Sequence, residues 1–408
     1  MHSASNAPSV VHISHNYHVT GGSDNYYFEL ERLLNNHGHQ VIPFCAKSSH
    51  NRPSPFEEYF PDTIDSQNAS VFDAAKFVYS REAKQKLGRL LDDKPVDIAH
   101  LHIYYGKLTS SILGELKKRN IPIVQTLHEY KIMCPVYTCI SNGKICEACQ
   151  GKEFWHCTLK RCNRGSLIRS FASTIESYTS KWLGATEHVD HFIGVSEFLT
   201  KKMLQIGIPE NKIRTIHNFV DCSRFEPATE PGRYILYFGR LKRVKGIYTL
   251  LDAIEQLPSV NCIIAGSGPE DGPLRESIVS RGLSNVELVG FKSGKALHEL
   301  IRGSMCTVLP SEWYENCPMS ILESFALGRP VIGTNIGGIP ELISNSEDGI
   351  LIDVANANDL ASAIDQIATT PGHAVQMGSA GRTKVMHNFS ADKHYAKIRD
   401  VYTQVLGR

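Results

Sequence analysis

Short runs rich in valine and isoleucine recur along the chain, each closed by turn residues and followed by a helix-length segment whose apolar positions return every three to four residues. Six such runs fall in the first half, at residues 10–14, 41–45, 98–102, 121–127, 191–195 and 213–216. Six more fall in the second, at 234–238, 261–265, 286–289, 306–309, 331–334 and 350–352. Alternation of such strands with amphipathic helices predicts parallel sheets covered on both faces, the α/β class. Between the halves, Glu226-Pro227-Ala228-Thr229-Glu230-Pro231-Gly232 loses the apolar periodicity and has the Pro and Gly content of a linker. The pattern predicts two Rossmann-like domains, residues 1–225 and 226–389, with a cleft between them. A last segment, 390–408, starts at the capping candidate Ser390 and sets Tyr395, Ile398, Val401, Tyr402, Val405 and Leu406 on one helical face that must dock on a neighbour.

The length of 408 residues agrees with two cores of about 200 residues each. A formal net charge of +1 supplies no global field of the kind that draws a protein to nucleic acid, so any charge logic is local. Residues 1–9 carry no basic stretch leading into an apolar run, and no segment approaches the ~20 apolar residues of a membrane span, so a cytoplasmic chain is expected. Of eleven cysteines, six lie between Cys134 and Cys162, which marks a local device and not a chain-wide disulfide framework.

Candidate chemistry gathers at strand ends. Gly21 and Gly22 follow the first strand and open a helix, where backbone amides and the helix N-terminus suit an anion, although the spacing is not a dinucleotide fingerprint. Arg240 and Lys245 lie just beyond a strand of the second half, placed to neutralise a diphosphate, the guanidinium through paired hydrogen bonds and the ammonium as a point charge. The densest stretch is 310–323, which holds Glu315 and Glu323 and is followed by Gly337-Gly338-Ile339-Pro340-Glu341. Residues 318–326 read as a helix, so the amides of Met319 and Ser320 open towards a phosphate oxygen, Glu323 rides on the helix and Glu315 sits in the loop before it. Carboxylates suit the vicinal hydroxyls of a sugar. A glycosidase pair needs carboxyls about 5 Å or about 6.5–9.5 Å apart. The offset from Glu315 to Glu323 spans ~12 Å at helical rise, which points to two separate contacts along one extended ligand.

In order and spacing, Gly21-Gly22, Phe238-Gly239-Arg240-Leu241 with Lys245-Gly246, Ile264-Ala265-Gly266-Ser267-Gly268-Pro269, and Glu315 and Glu323 followed by Gly-Gly-Ile-Pro-Glu resemble glycosyltransferase family 4 over nearly the whole chain. That family comprises retaining enzymes of the GT-B fold. The resemblance implies transfer from a nucleoside diphosphate sugar to an acceptor hydroxyl, in polysaccharide or glycolipid synthesis. It implies that Glu315 contacts donor-sugar hydroxyls, that Glu323 holds the ribose and that Arg240 and Lys245 hold the diphosphate near Gly22. It also implies that His128, at a strand end, lies close to the transferred sugar, that Phe291 and Lys295 lie in the base-contacting loop, and that Gly268 belongs to the nucleotide site. The last helix is implied to cross back to the first domain. With the leaving phosphate taking the acceptor proton, neither a covalent nucleophile nor a catalytic metal is required. The chain departs from the family at Asn316-Cys317-Pro318, which bears on donor identity.

The cysteine run contains one C-x2-C and two C-x4-C spacings, suited to a structural zinc site, with an iron–sulfur cluster using the same ligand type. Reduced thiols in a loop and local disulfides are the plain alternatives. Family members with a comparable insertion imply Cys134, Cys146, Cys149 and Cys162 as the four ligands. Between Lys144 and Lys181, seven basic residues stand against three acidic ones, interleaved with Phe154, Trp155, Leu167, Ile168 and Phe171. That mixture suits peripheral contact with an anionic membrane on its cytoplasmic face and, through it, a lipid-linked or sugar acceptor; ordinary packing explains the apolar residues equally well. A sugar-nucleotide epimerase of similar fold and a nucleotide-binding scaffold are the competing classes.

Overall fold

The computed structural model describes residues 7–63 and 71–407, without the side chains of 71–74. Its strands are Val10–Ile13 (β1), Val41–Phe44 (β2), Ile98–Leu101 (β3), Ile123–Leu127 (β4), Ile140–Ser141 (β5), Lys144–Ile145 (β6), His191–Gly194 (β7) and Ile213–Thr215 (β8). They continue with Tyr234–Arg240 (β9), Cys262–Ser267 (β10), Val286–Gly290 (β11), Ser304–Leu309 (β12), Val331–Thr334 (β13) and Gly349–Ile352 (β14). Two six-stranded sheets result, in the orders β2-β1-β3-β4-β7-β8 and β11-β10-β9-β12-β13-β14, and every pairing within them is parallel. All twelve runs of the apolar pattern are strands of these sheets, with ends displaced by a residue or two. The β5-β6 hairpin inside the cysteine-rich segment was not predicted, because two-residue strands are too short to show a period.

The chain divides into two compact units, residues 1–216 with 395–408, and residues 217–394. The division falls ahead of the Pro- and Gly-rich stretch because the residues before that stretch are bonded into the second unit. Asn218 donates its amide to Cys317 Sγ at 3.3 Å and its side chain to the Cys317 carbonyl at 2.8 Å, and the Val220 amide donates to Phe389 O at 3.0 Å. The final helix runs over Ala391–Leu406, and its residues from Tyr395 onwards belong to the first unit. There Ile398, Val401 and Tyr402 are buried, the Tyr402 hydroxyl lies 2.7 Å from His100 Nδ1, and Tyr395 stacks on His37 at 3.5 Å.

In each sheet the strand order reverses at one point, between β1 and β3 in the first and between β9 and β12 in the second. Open α/β sheets bind ligands outside the carboxyl ends of the strands at such points. Arg240 ends β9 at the second of these places, and Gly21 and Gly22 follow β1 at the first.

Candidate functional site

In the second unit, β9 and β12 are neighbours, and the loops leaving them are stitched together. The Glu312 amide donates to Val244 O at 2.9 Å, and Thr249 Oγ1 donates to Glu312 Oε1 at 2.6 Å. Gly246 has φ +70°, and a Cβ there would lie 1.7 Å from Pro310 O, so only glycine lets the two loops meet. This approach carries Lys245 to Glu315, whose Oε1 accepts from Lys245 Nζ at 2.5 Å, Ser311 Oγ at 2.6 Å and Trp313 Nε1 at 2.7 Å. Burial pushes the Glu315 carboxyl up, but the Lys245 ammonium and the Ser311 and Trp313 donors outweigh it and hold the group below the usual carboxylate range. All three donors converge on Oε1, and no described residue donates to Oε2. An ionised oxygen is thereby left to accept a ligand hydroxyl.

Sequence reasoning treated Lys245 as a point charge for phosphate and Glu315 as a separate contact; the structure makes them one ion pair. Arg240 closes β9 as an exposed residue of the same loop.

The Gly-Gly-Ile-Pro-Glu motif has a mechanical role. Gly338 donates its amide to Glu315 O at 2.7 Å, and Gly337, at φ +61°, is so close that a Cβ would lie 2.3 Å from the same oxygen. The two glycines clamp the backbone that carries the carboxylate. Beyond Glu315, the helix spans Met319–Ala326 with Pro318 as its extended N-cap, one residue later than the pattern suggested, and no side chain caps it. Pro318 has no amide to lose there, and the first amides are those of Met319 and Ser320. Glu323 is half-buried on the second turn. Cys317 is buried and bonded to Asn218, so its side chain is part of the packing of the loop. Within the departure at 316–318, Cys317 thus has a structural part. Gly268 packs against the Leu241 backbone, where a Cβ would lie 2.2 Å from Leu241 O. Phe291 and Lys295 are exposed just past β11.

In the first unit, Gly21 is the N-cap of the helix Gly22–Asn36, and Asp24 in its first turn accepts from the Thr20 amide at 2.8 Å and the Thr20 hydroxyl at 2.5 Å. The strand ends nearby hold a row of imidazoles that sequence reasoning missed. His12 and His100 are register partners on β1 and β3, and the two-residue period carries the same face on through His102. His12 Nε2 lies 2.6 Å from His102 Nε2, His102 Nδ1 lies 2.9 Å from the predicted His128 Nε2, and His100 Nε2 lies 2.7 Å from Thr126 Oγ1. Tyr27 stacks on His12 at 4.0 Å. Burial lowers the pKa of His12, His102 and His128, to about 3 for His128, so the row is neutral and each ring has one N–H.

His12 Nδ1 is buried without a hydrogen-bond partner among the described residues. A bare lone pair is cheaper there than an unpaired N–H. That choice runs the chain outwards, with His12 Nε2–H donating to His102 and His102 Nδ1–H donating to His128 Nε2. The proton of His128 then sits on Nδ1. Lys107 joins this end of the sheet, donating to Asn16 Oδ1 at 2.8 Å. The legible signal was the alternation His100-Leu101-His102 and Thr126-Leu127-His128.

In the cysteine-rich segment, burial and the neighbouring Cys134, Cys162 and Cys146 push the Cys149 thiol up to about 12. No group of three or more His, Cys, Asp or Glu among the described residues is arranged to hold a metal ion. Cys134 instead hydrogen-bonds Cys139, which pulls it down to about 7, and Cys162 hydrogen-bonds Cys157, which pulls it down to about 6. The β5-β6 hairpin sets Cys139 opposite Cys146, whose amide donates to Cys139 O at 2.7 Å, so the thiols left out of the predicted set lie among its members.

Comparison with known proteins bears on the family and the fold. Residues 20–224, just over half of the chain, match the family model Glycosyltransferase Family 4, and residues 222–384 match Glycosyl transferases group 1. An uncharacterized glycosyltransferase of Methanocaldococcus jannaschii is 25% identical over 291 residues, 63% of this chain and 74% of that one. The putative colanic acid biosynthesis glycosyltransferase WcaL of Escherichia coli is 27% identical over 54% of this chain, which spans only 58% of that relative. Among solved structures, a glycosyltransferase from Rickettsia africae superposes with a TM-score of 0.70 at 20% identity, covering 98% of this chain and 99% of that one. Anabaena HepE in complex with UDP superposes with a TM-score of 0.67 at 15% identity, covering 97% and 100%. These likenesses are to two-domain α/β proteins of the GT-B fold.

Proposed function

The chain belongs to glycosyltransferase family 4, and from that premise we propose that it moves a sugar from a nucleoside diphosphate sugar to an acceptor hydroxyl with retention at the anomeric carbon. The observation that carries the reading is the Glu315 carboxylate, ionised by Lys245, clamped by Gly337 and Gly338, and open at Oε2 at the switch point of the second sheet. Glu315 orients the donor sugar, and Glu323, eight residues further on in the second turn of the helix, takes the ribose. Arg240, Lys245 and the Met319 and Ser320 amides stabilise charge on the leaving diphosphate, the kind of term that usually contributes most. The departing phosphate receives the acceptor proton. On the first unit we assign Gly21, Gly22 and a neutral, Nδ1-protonated His128 to the reaction, and on the second Gly268, Phe291 and Lys295 serve the nucleotide.

The HepE neighbours hold UDP or UDP-glucose, which makes a uridine nucleotide the first donor to try. Relatives named for colanic acid and lipopolysaccharide core synthesis support a cell-surface sugar or lipid-linked acceptor, handled at the cytoplasmic face of a membrane. No helix among the described residues is long and apolar enough to cross one. A metal ion on Cys134, Cys146, Cys149 and Cys162 would require Cys139 and Cys157 to release their thiol partners, and zinc retained after reductive purification would show that they do.

Thermal-shift measurement against a panel of nucleoside diphosphates tests the central reading. A binder at 100 times its Kd adds about 2.7 kcal/mol of stability; no response to any nucleotide would overturn it.

A further inference from the structure

The helix Leu167–Trp182 is built inside out. Its buried side is polar: Ser170, Ser173, Thr174, Glu176 and Ser177 are each 5% exposed or less. Its outward side is apolar, with Ile168 81%, Phe171 56% and Trp182 77% exposed, and Leu159 of the adjoining insertion 70% exposed. A surface helix normally turns its apolar stripe inwards.

The polar side is fully engaged, which prevents the helix from rotating. Glu176 forms a buried ion pair with Lys131, and Ser177 accepts from Lys131 Nζ at 3.3 Å. Thr174 bonds Thr158 at 2.8 Å, Ser173 accepts from Asn163 at 2.9 Å, and Ser180 bonds Ser110 at 2.7 Å. Turning the stripe inwards would strand a carboxylate, an ammonium and several hydroxyls. The apolar face is therefore held outwards by its own back.

What covers this face is indicated by its charge. Lys160, Arg161, Arg164, Arg169 and Lys181 are exposed around the stripe, and Glu153 is the one exposed carboxylate among residues 150–183. A second copy meeting it two-fold symmetrically would set these cations against themselves. Protein interfaces are depleted of charge at their centres. Bulky apolar side chains that include tryptophan, ringed by arginine and lysine, suit the headgroup boundary of an anionic membrane. We propose that the outward face of Leu167–Trp182, with Leu159 and Trp155 of the insertion, is the surface by which this protein docks on an anionic lipid bilayer. The inference does not depend on the nucleotide site.

Co-sedimentation of the full chain with vesicles tests it. Binding to phosphatidylglycerol/phosphatidylcholine vesicles should exceed binding to phosphatidylcholine alone at least tenfold and fall steeply with added salt. The variant Ile168→Ser/Phe171→Ser/Trp182→Ser should bind at least tenfold more weakly, and Arg164→Glu/Arg169→Glu should lose about fivefold or more per residue. Because these side chains are exposed, the melting temperature and nucleotide response should stay unchanged, which separates lost docking from lost fold. Equal or absent binding to the two vesicle types would overturn the proposal. So would a lipid-free dimer in sedimentation velocity that the triple variant abolishes, since the face would then belong to a second copy.

Discussion

The two sheets put polar chemistry at the same topological position and solve it in opposite ways. In the second unit the switch point holds charge: an ammonium and a carboxylate at 2.5 Å, with the carboxylate further satisfied by a hydroxyl and an indole. In the first it holds neutral rings, a buried row from His12 through His102 to His128. A charged site needs partners to remain ionised out of water, whereas a neutral row needs only a consistent direction of N–H donors. Loss of a partner should therefore be severe in the second unit, and loss of pH should be severe in the first.

The largest expected effect is that of Glu315→Ala. With the side chains of Lys245 and Glu315 only 19% and 9% exposed, removal of the carboxylate strands an ammonium and should cost about 3 kcal/mol in urea unfolding, with turnover down at least ~100-fold. The double variant Lys245→Met/Glu315→Leu should regain most of the stability and none of the turnover; recovery of turnover would contradict the role of Glu315 as a ligand contact. Next is Gly337→Ala, which forces a Cβ against Glu315 O and should cost about 1–3 kcal/mol. Its turnover should fall while a Gly272→Ala control, with nothing near its Cβ, stays neutral or better. Glu323→Ala should weaken nucleotide binding about tenfold, about 1.4 kcal/mol, by calorimetry. Equal effects of Glu323→Ala and Glu315→Ala on binding and turnover would erase the division between ribose and sugar.

Over a single pH unit, the response of each group in the first unit is no larger than the effect of Glu323→Ala. Unfolded histidines take up protons below pH ~6.5, whereas burial holds His128 to about 3 and His15 to about 4 and also lowers His12 and His102. The unfolded state binds more protons in that window. The stability they contribute is complete above pH ~6.5 and is lost as pH falls towards the folded values, about 1.4 kcal/mol per unit for each ring. Glu129, raised to about 8 by burial, and Glu31, also raised by burial, work the other way, contributing stability at low pH that is lost as pH rises through their folded values, against the four histidines above and His39 and His191, which burial also lowers. Urea midpoints that do not fall from pH 7 to pH 5 would show that the row is not neutral.

Much of this could be read along the chain because strands and glycine loops are local. Twelve strands announced themselves by valine and isoleucine runs, and Glu315, Arg240 and Lys245 by their place after strand ends. The pairing of Lys245 with Glu315 could not be read, since it depends on Gly246 passing beside Pro310, a contact between distant loops. The six cysteines advertised a metal site by spacing, yet spacing does not say which sulfurs a two-residue hairpin will bring face to face. The histidine row was overlooked because single histidines in apolar strands look like core residues until the register aligns them.

By itself the sequence determined two parallel α/β units, the glycine-bearing loops after their strands and a basic, aromatic segment after the cysteines. Hydrophobic period and backbone freedom act over a few residues, and the order of residues encodes them directly. Tertiary structure alone decided which charges pair, which way the imidazole protons run and which side of Leu167–Trp182 faces out. Those outcomes depend on burial and on partners tens of residues away, such as Lys131 and Glu176, whose buried ion pair fixes which side of that helix faces in.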